Sequence, residues 1–105
     1  MSTKLTGNIK AVYEMLPRGC KAPITASRIS SRLNIPKRDV YGIINTLVMS
    51  CDIPVGGLRS DKHGYFIITN EDERRMAINP LEHHATEIMA RVEKIKGINL
   101  AADEN

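Results

Sequence analysis

The tripeptide Asn34-Ile35-Pro36 places the strongest constraint on how this chain can fold. It separates a segment with helical apolar spacing that ends at Leu33 from a second one that runs to about Met49. Asn enters the left-handed backbone region at modest cost, and proline has the φ of a helix start and no N–H to satisfy. The tripeptide therefore predicts two short helices that meet at a tight turn, the later one beginning at Pro36.

Local signals predict two helices before this turn. Apolar side chains recur at spacings of four and three over residues 6–16, which predicts a first helix. "KAPI", residues 21–24, predicts a very short extended segment, because a residue that precedes proline is pushed toward extended geometry. Thr25 then caps the second helix, over residues 26–33.

A β-hairpin and two further helices follow. Residues 53–55 and 65–68 have strand composition and flank "GGLRSDKHG", which predicts a hairpin with a long basic tip. Asn70, with Glu73 three residues later, has the spacing of a capping box and predicts a fourth helix. Pro80 is predicted to interrupt it and begin a fifth helix that ends near residue 97.

The segment after Pro80 carries an apolar seam with heptad spacing. At about two heptads it is too short to persist alone in water, so the seam must be covered. Either it packs on the first helix of its own domain or it pairs with a second copy. We expect a homodimer, with the interface residues Ile78, Leu81, Ala85, Ile88, Met89, Val92 and Ile95.

Charge is unevenly distributed along the 105 residues. Residues 1–68 contain ten Lys or Arg against four acids, a net of +6, and residues 69–105 contain five against eight, a net of −3. A basic body with an acidic appendage is typical of a module that binds a polyanion. The chain has no long apolar run and no signal-like N-terminus, so we expect no membrane partner and a cytoplasmic location.

Enzyme chemistry, cofactors and metals have no support in the sequence. Cys20 and Cys51 are isolated cysteines, and His83 and His84 diverge by about 100 degrees on a helix, which is poor geometry for a shared metal. The chain lacks a phosphate-binding glycine loop, a nucleophile elbow and a recognisable pair of catalytic carboxylates. We therefore expect a binding protein and not an enzyme.

The order helix, extended segment, helix, tight turn, helix and hairpin is the layout of a winged helix-turn-helix domain. Residues 24–67, with "ASRISSRLNI", "VYGIINTL" and "GYFI", resemble the winged helix-turn-helix domain at the N-terminus of biotin-protein-ligase repressors. The chain also looks like small winged-helix proteins encoded by bacteriophages. Asn34 and Pro36 depart from the family pattern, which has Gly and a Ser or Thr cap there. The resemblance does not extend to the ligase portion, so it implies nothing about biotin.

The expected fold class is therefore α+β, mostly α. Three helices and a hairpin wing form a winged helix-turn-helix domain over residues 1–69, and an amphipathic helical extension covers residues 70–97. A frayed tail is expected over residues 98–105.

The helix from Pro36 to Met49 has one apolar side and one polar side when residues are placed at about 100 degrees each. The polar side suits a DNA groove, because Arg pairs with guanine, Asn pairs with adenine and Tyr reaches a phosphate or a thymine methyl. Glycine there would let the backbone approach the groove wall, or it could make room for a neighbouring element. The predicted base-contacting residues are Arg38, Tyr41, Gly42 and Asn45.

Cations outside this face are candidates for phosphate contacts. Three lie on or near the two helices of the turn, and three lie in the hairpin tip, although exposed cations also occur without any partner. The predicted phosphate-contacting residues are Arg28, Arg32, Lys37, Arg59, Lys62 and His63.

These features predict a dimeric, sequence-specific protein that binds double-stranded DNA, as a phage or bacterial regulator of transcription or replication. The alternative is a protein-protein adaptor that docks on a larger replication or transcription assembly through its last helix. RNA binding is a weaker third possibility, because three Tyr and one Phe offer little surface for base stacking.

Overall fold

Four helices and one two-stranded hairpin make up the described part of the chain, residues 5–58 and 63–103 of the computed structural model. The protein is therefore α+β and mostly helical. A single 3₁₀ turn lies within the segment predicted to be frayed. The elements are α1 (Gly7–Met15), α2 (Ala26–Leu33), α3 (Lys37–Met49), β1 (Val55–Leu58), β2 (Gly64–Ile67), α4 (Glu71–Gly97) and the 3₁₀ helix (Leu100–Asp103).

The tight turn between α2 and α3 is confirmed. Asn34 is in the left-handed region, with φ 55° and ψ 47°. The Ser30 carbonyl accepts hydrogen bonds from the N–H groups of Asn34 and Ile35, and the Ser30 hydroxyl donates to the Ile35 carbonyl. Thr25 caps α2 by accepting from the Arg28 N–H at 3.1 Å, whereas Pro36 at the start of α3 supplies no side-chain cap. The end of α2 at the turn is thus fixed by local hydrogen bonds to Ser30, whereas α3 begins without a side-chain cap.

The first three helices enclose the main apolar core. Helix α1 packs on α2 and α3, and α2 packs on α3. One side chain of this core, Ile67, comes from the hairpin, which ties the sheet to the helices. The buried residues of the core are Val12, Leu16, Ala26, Ile29, Val40, Leu47, Cys51 and Ile67.

The paired strands lie nearer the hairpin tip than the sequence indicates, with β1 at Val55–Leu58 and not at residues 53–55, and β2 also pairs with the segment before α2. Gly56 pairs with Phe66 and Gly57 with Tyr65, so both glycines belong to β1 and not to the tip. The prediction of a tip beginning at Gly56 is therefore wrong, because consecutive glycines have the composition of a turn. Ile24 and Tyr65 exchange two backbone hydrogen bonds, of 2.9 and 2.7 Å, which confirms a very short extended segment before α2.

Helix α4 is continuous, so the prediction that Pro80 separates two helices is wrong. Pro80 lies inside a 27-residue helix that begins at the Asn70 cap. Its missing N–H and its ring disturb one helical hydrogen bond, to the carbonyl of Met76. Both residues are exposed, so water can reach that carbonyl. Within residues 5–58 and 63–103, no helix has the length and apolar character needed to cross a bilayer.

Close contact between α4 and β1 holds this helix against the hairpin. Ala77 is buried over Gly56, and a methyl group placed on Gly56 would lie 2.9 Å from the Ala77 Cβ. Beyond this contact α4 projects from the body, which accounts for the overall extents of 55 × 33 × 31 Å. A 27-residue helix is about 40 Å long.

Glu73 connects three segments through one buried carboxylate. It accepts hydrogen bonds from the Cys20 N–H at 2.9 Å, the Thr69 N–H at 2.8 Å and the Thr69 hydroxyl at 2.9 Å. Asn70 caps the Glu73 N–H as predicted, but the Glu73 side chain bonds to Cys20 and Thr69. The Thr69 N–H, followed by smaller hydrogen-bond contributions from Thr69 and Cys20, holds the pKa of Glu73 below its ordinary value, although burial acts in the opposite direction.

Replacing Gly56 by Ala should destabilise the fold by about 1–3 kcal/mol, because the added methyl group forces α4 away from β1. The free energy of unfolding in urea measures this change. Gly57→Ala is the matched control, since its methyl group would meet Tyr65 at 3.4 Å and the Gly64 carbonyl at 3.9 Å, both ordinary contact distances. Equal stability of the two variants would contradict the close contact with Ala77.

Glu73→Gln should destabilise the fold at neutral pH. A carboxylate with a lowered pKa in the folded state stabilises the fold above its unfolded pKa of about 4.5, and this contribution is lost as pH falls through the folded pKa. The difference in unfolding free energy between the native chain and the variant should therefore narrow below about pH 4.5. Glu71→Gln, which removes an exposed charge from the same turn, should show no comparable effect. A gap that widens in acid would refute this role.

Candidate nucleic-acid interface

Helix α3 separates an inward apolar side from an outward polar side. Val40 and Leu47 are buried in the core, and Ile43 and Ile44 are half-buried against it. The outward side is exposed along the length of the helix, and Tyr41 is half exposed. It carries all four predicted base-contacting residues, Arg38, Tyr41, Gly42 and Asn45.

No packing neighbour within the described residues explains Gly42. A methyl group placed there meets nothing within 4 Å, and the residue does not have a positive φ. Gly42 therefore makes room for no helix or strand of the described residues. The Gly42 carbonyl accepts a hydrogen bond from the Thr46 hydroxyl at 3.0 Å, which any residue at position 42 could do. The glycine costs helix stability, and no contact in the part of the chain that the structure describes offsets that cost.

Part of this face opens onto a groove of about 850 Å³ between α3, the hairpin and α4. Tyr41 and Asn45 line one wall, and Leu81 and His84 of α4 line the opposite wall. Arg38 and Gly42 lie outside the groove lining. The predicted base-contacting face is thus divided into an open part at the start of α3 and a part that faces α4.

The groove contains apolar side chains that sequence reasoning did not assign to any site. Met49 and Val48, at the end of α3, are exposed, and they line the groove together with Leu58 of β1. Met49 falls on the polar side of α3 when residues are placed at about 100 degrees each. An apolar residue on that side is the sequence signal that could have indicated the groove. The sequence does not indicate that α4 residues line this groove, because Pro80 suggests a break in the helix.

The phosphate candidates near α3 are free of ion pairs in the described chain. Arg28, Arg32 and Lys37 are exposed, and none joins an ion pair among the described residues. The pairs that do occur there all lie within α4, for example Arg74 with Glu71 at 3.1 Å. His63 is exposed and lines the hairpin end of the groove. The candidates Arg59 and Lys62 lie outside the described residues.

The seam of α4 is largely uncovered. Leu81 is 64% exposed and Ile95 is 59% exposed, so the seam does not pack on α1. Ile78, Ala85, Ile88 and Met89 are also exposed, and Val92 is half-buried. The alternative of packing within the same domain is thereby excluded, and the partner that covers the seam stays a prediction.

Metal-binding and thiol chemistry find no geometric support in the described ranges. Cys51 is buried and Cys20 is partly buried, and neither forms a disulfide. His83 lies 3.7 Å from Glu87, one turn along α4, in an exposed pair. Residues 5–58 and 63–103 contain no group of three His, Cys, Asp or Glu side chains that could hold a metal ion.

Comparison with known proteins adds no assignment. The chain matches no protein-family model, no curated protein and no solved structure.

Gly42→Ala should raise the free energy of unfolding by up to about 1 kcal/mol, because alanine favours the helix and its methyl group meets open space. Urea unfolding measures the change. A loss of stability would reveal a close neighbour and would remove the reason for treating Gly42 as part of an external binding face.

Proposed function

We propose that this protein is a dimeric, sequence-specific double-stranded DNA-binding regulator with a winged helix-turn-helix fold. It acts in the cytoplasm in bacterial or phage transcription or replication. The observation that carries the proposal is the outward face of α3, where Gly42 lies between Arg38, Tyr41 and Asn45 and no neighbour among the described residues accounts for it.

The arrangement of elements supports the winged-helix fold. Helices α2 and α3 meet at the Asn34 turn, and a hairpin follows α3 directly. The hairpin also pairs with the short extended segment at Ile24, between α1 and α2. In this layout α3 is the recognition helix and the hairpin is the wing.

The side chains of α3 divide between reading bases and allowing close approach. Arg38 is in the first turn and free of ion pairs in the described chain, so its guanidinium is available to a guanine edge. Gly42, one turn later, lets the helix backbone approach the duplex. Asn45 offers an amide to adenine, and Tyr41 offers a hydroxyl to a phosphate.

The groove beside α3 sets how the duplex approaches. Arg38 and Gly42 lie outside it, so the first half of α3 enters the major groove. Asn45 faces α4 across the groove, so it reaches a base only when one edge of the duplex occupies the space between α3 and α4. His84, on the α4 wall of the groove, would then be a DNA contact that the last helix supplies.

Phosphate binding is assigned to the unpaired cations that flank α3. Arg28 and Arg32 are one turn apart on α2, and Lys37 begins α3. Asp39, exposed in the first turn of α3, opposes phosphate at that point. His63 is exposed at the hairpin end of the groove and is a further candidate, and Arg59 and Lys62 stay candidates from the sequence alone.

DNA binding should weaken steeply as salt rises. If four to six cations contact phosphates, the slope of log K against log salt concentration should be about −4 to −5. Arg38→Ala and Asn45→Ala should each reduce discrimination among sequences by about 1–3 kcal/mol. Selection of sites from a random duplex pool, followed by titration at several salt concentrations, provides both measurements.

Arg32→Ala is the matched control for Arg38→Ala. As a phosphate contact, Arg32 should affect all sequences equally and flatten the salt slope, leaving sequence preference intact. The stabilised Gly42→Ala variant should bind more weakly despite its stronger helix. Full sequence preference in both Arg38→Ala and Asn45→Ala would remove α3 from the reading role.

The exposed seam of α4 and the apolar groove favour a second candidate, a protein-protein adaptor with the same fold. Such an adaptor would dock on a larger assembly through residues 78–96. It predicts no duplex binding near physiological salt and a stable complex with a different protein, abolished by Leu81→Asp. The DNA titration above therefore separates the two functions.

A further inference from the structure

The flanks of the α4 seam differ in charge and in position relative to the body. Ile78, Ala85 and Val92 occupy the a positions of the heptad, and Leu81, Ile88 and Ile95 occupy the d positions. One flank, the e positions, contains Glu82, Met89 and Lys96. The other flank, the g positions, contains Ala77, His84 and Arg91. We propose that two copies of this chain pair through this seam in antiparallel orientation, an inference that rests on the homodimer proposed above.

Charge opposes the parallel alternative. In a parallel pair each g residue faces the e residue five positions later on the other helix, so Arg91 would face Lys96 of the second copy, twice per dimer. In an antiparallel pair the e flanks face each other, and Glu82 meets Lys96 of the second copy. Long side chains tilt toward the N-terminus of their own helix, so these two lean toward each other. Glu82 makes no ion pair among the described residues, and Lys96 makes an exposed pair within its own helix, 3.7 Å from Glu93, which the pair between copies would have to displace or share.

Packing of the seam points the same way. A parallel pair stacks a on a, which puts Ala85 against Ala85 and leaves an underfilled layer at the middle of a short interface. An antiparallel pair stacks a on d, so Ala85 meets Ile88 of the second copy. The outer layers then pair Ile78 with Ile95, and Leu81 with Val92. No layer then consists of two alanines, because each Ala85 is covered by an isoleucine.

The position of the body makes this orientation compatible with one duplex. Ala77 is buried against β1 and His84 lines the groove, so the body lies on the g flank of α4. In an antiparallel pair the two g flanks share one face of the dimer. Both α3 helices and both grooves then lie on the same side, related by a two-fold axis that passes between residues 86 and 87. A parallel pair would place the bodies on opposite faces.

Lys96→Glu distinguishes the two orientations by the sign of its effect. In the antiparallel dimer it replaces two attractive pairs by two repulsive ones, so the dissociation constant should rise about fivefold or more at low salt. In a parallel dimer it would instead relieve the repulsion with Arg91 and tighten the dimer. Sedimentation equilibrium of the full chain measures the dissociation constant directly.

Lys94→Glu is the matched control, because it makes the same charge change near the same helix end at a position that points away from the seam. It should leave the dissociation constant within about twofold of the native value. The double variant Glu82→Lys with Lys96→Glu should recover native dimerisation, because the pair is restored with its charges exchanged. Circular dichroism of each variant verifies that α4 is retained.

Tighter dimerisation of Lys96→Glu, or an effect no larger than that of Lys94→Glu, would overturn the antiparallel arrangement and leave the dimer standing. A native chain that stays monomeric at the highest concentration tested would overturn the dimer together with its orientation. The DNA titration of that monomer, and the sequence preference of its Arg38→Ala variant, would still test DNA binding independently of the dimer.

Discussion

The carboxylate of Glu73 is the interaction on which the placement of α4 depends. It fixes the first turn of that helix to Cys20, in the loop after α1, and to Thr69, at the end of the hairpin. Cys20 is 53 residues from Glu73 in sequence and Thr69 is only four, so the bond to Cys20 is the one that joins α4 to a distant segment. A buried carboxylate is tolerated because three donors satisfy it. The direction in which α4 leaves the body is therefore set before its apolar seam begins.

The contact between Gly56 and Ala77 then determines what faces α3. Because the two backbones approach closely, α4 follows the hairpin and becomes a wall opposite Tyr41 and Asn45. A larger residue at position 56 would widen the groove by displacing that wall. The small residues of β1 thus influence the accessibility of a face on another element.

Local features were predictable from the sequence, and features that join distant segments were not. The Asn34 turn and the Thr25 and Asn70 caps depend on a few neighbouring residues, and all three are confirmed. The inward and outward sides of α3 also followed from its apolar spacing. By contrast, Gly56 has the composition of a turn but belongs to a strand, because it pairs with Phe66 and lies against Ala77. Pro80 has the character of a helix break but lies inside α4, because the neighbouring turns of the helix outweigh its cost. The groove lies between α3, the hairpin and α4, so predicting it required both the strand role of Gly56 and the continuity of α4 through Pro80.

Leu81 connects the two surfaces that the proposed function requires. It is a d residue of the exposed seam, and it also lines the wall of the groove that faces α3. A helix that covers the seam must therefore alter the edge of the groove near Asn45, whereas Arg38 and Gly42 lie outside that lining. Dimerisation would then change the accessibility of Asn45, on the α4 side of the proposed DNA-binding face, and leave the first turns of α3 unchanged. The two halves of that face are consequently expected to differ physically: one is set within a single copy, and the other is completed by the second copy.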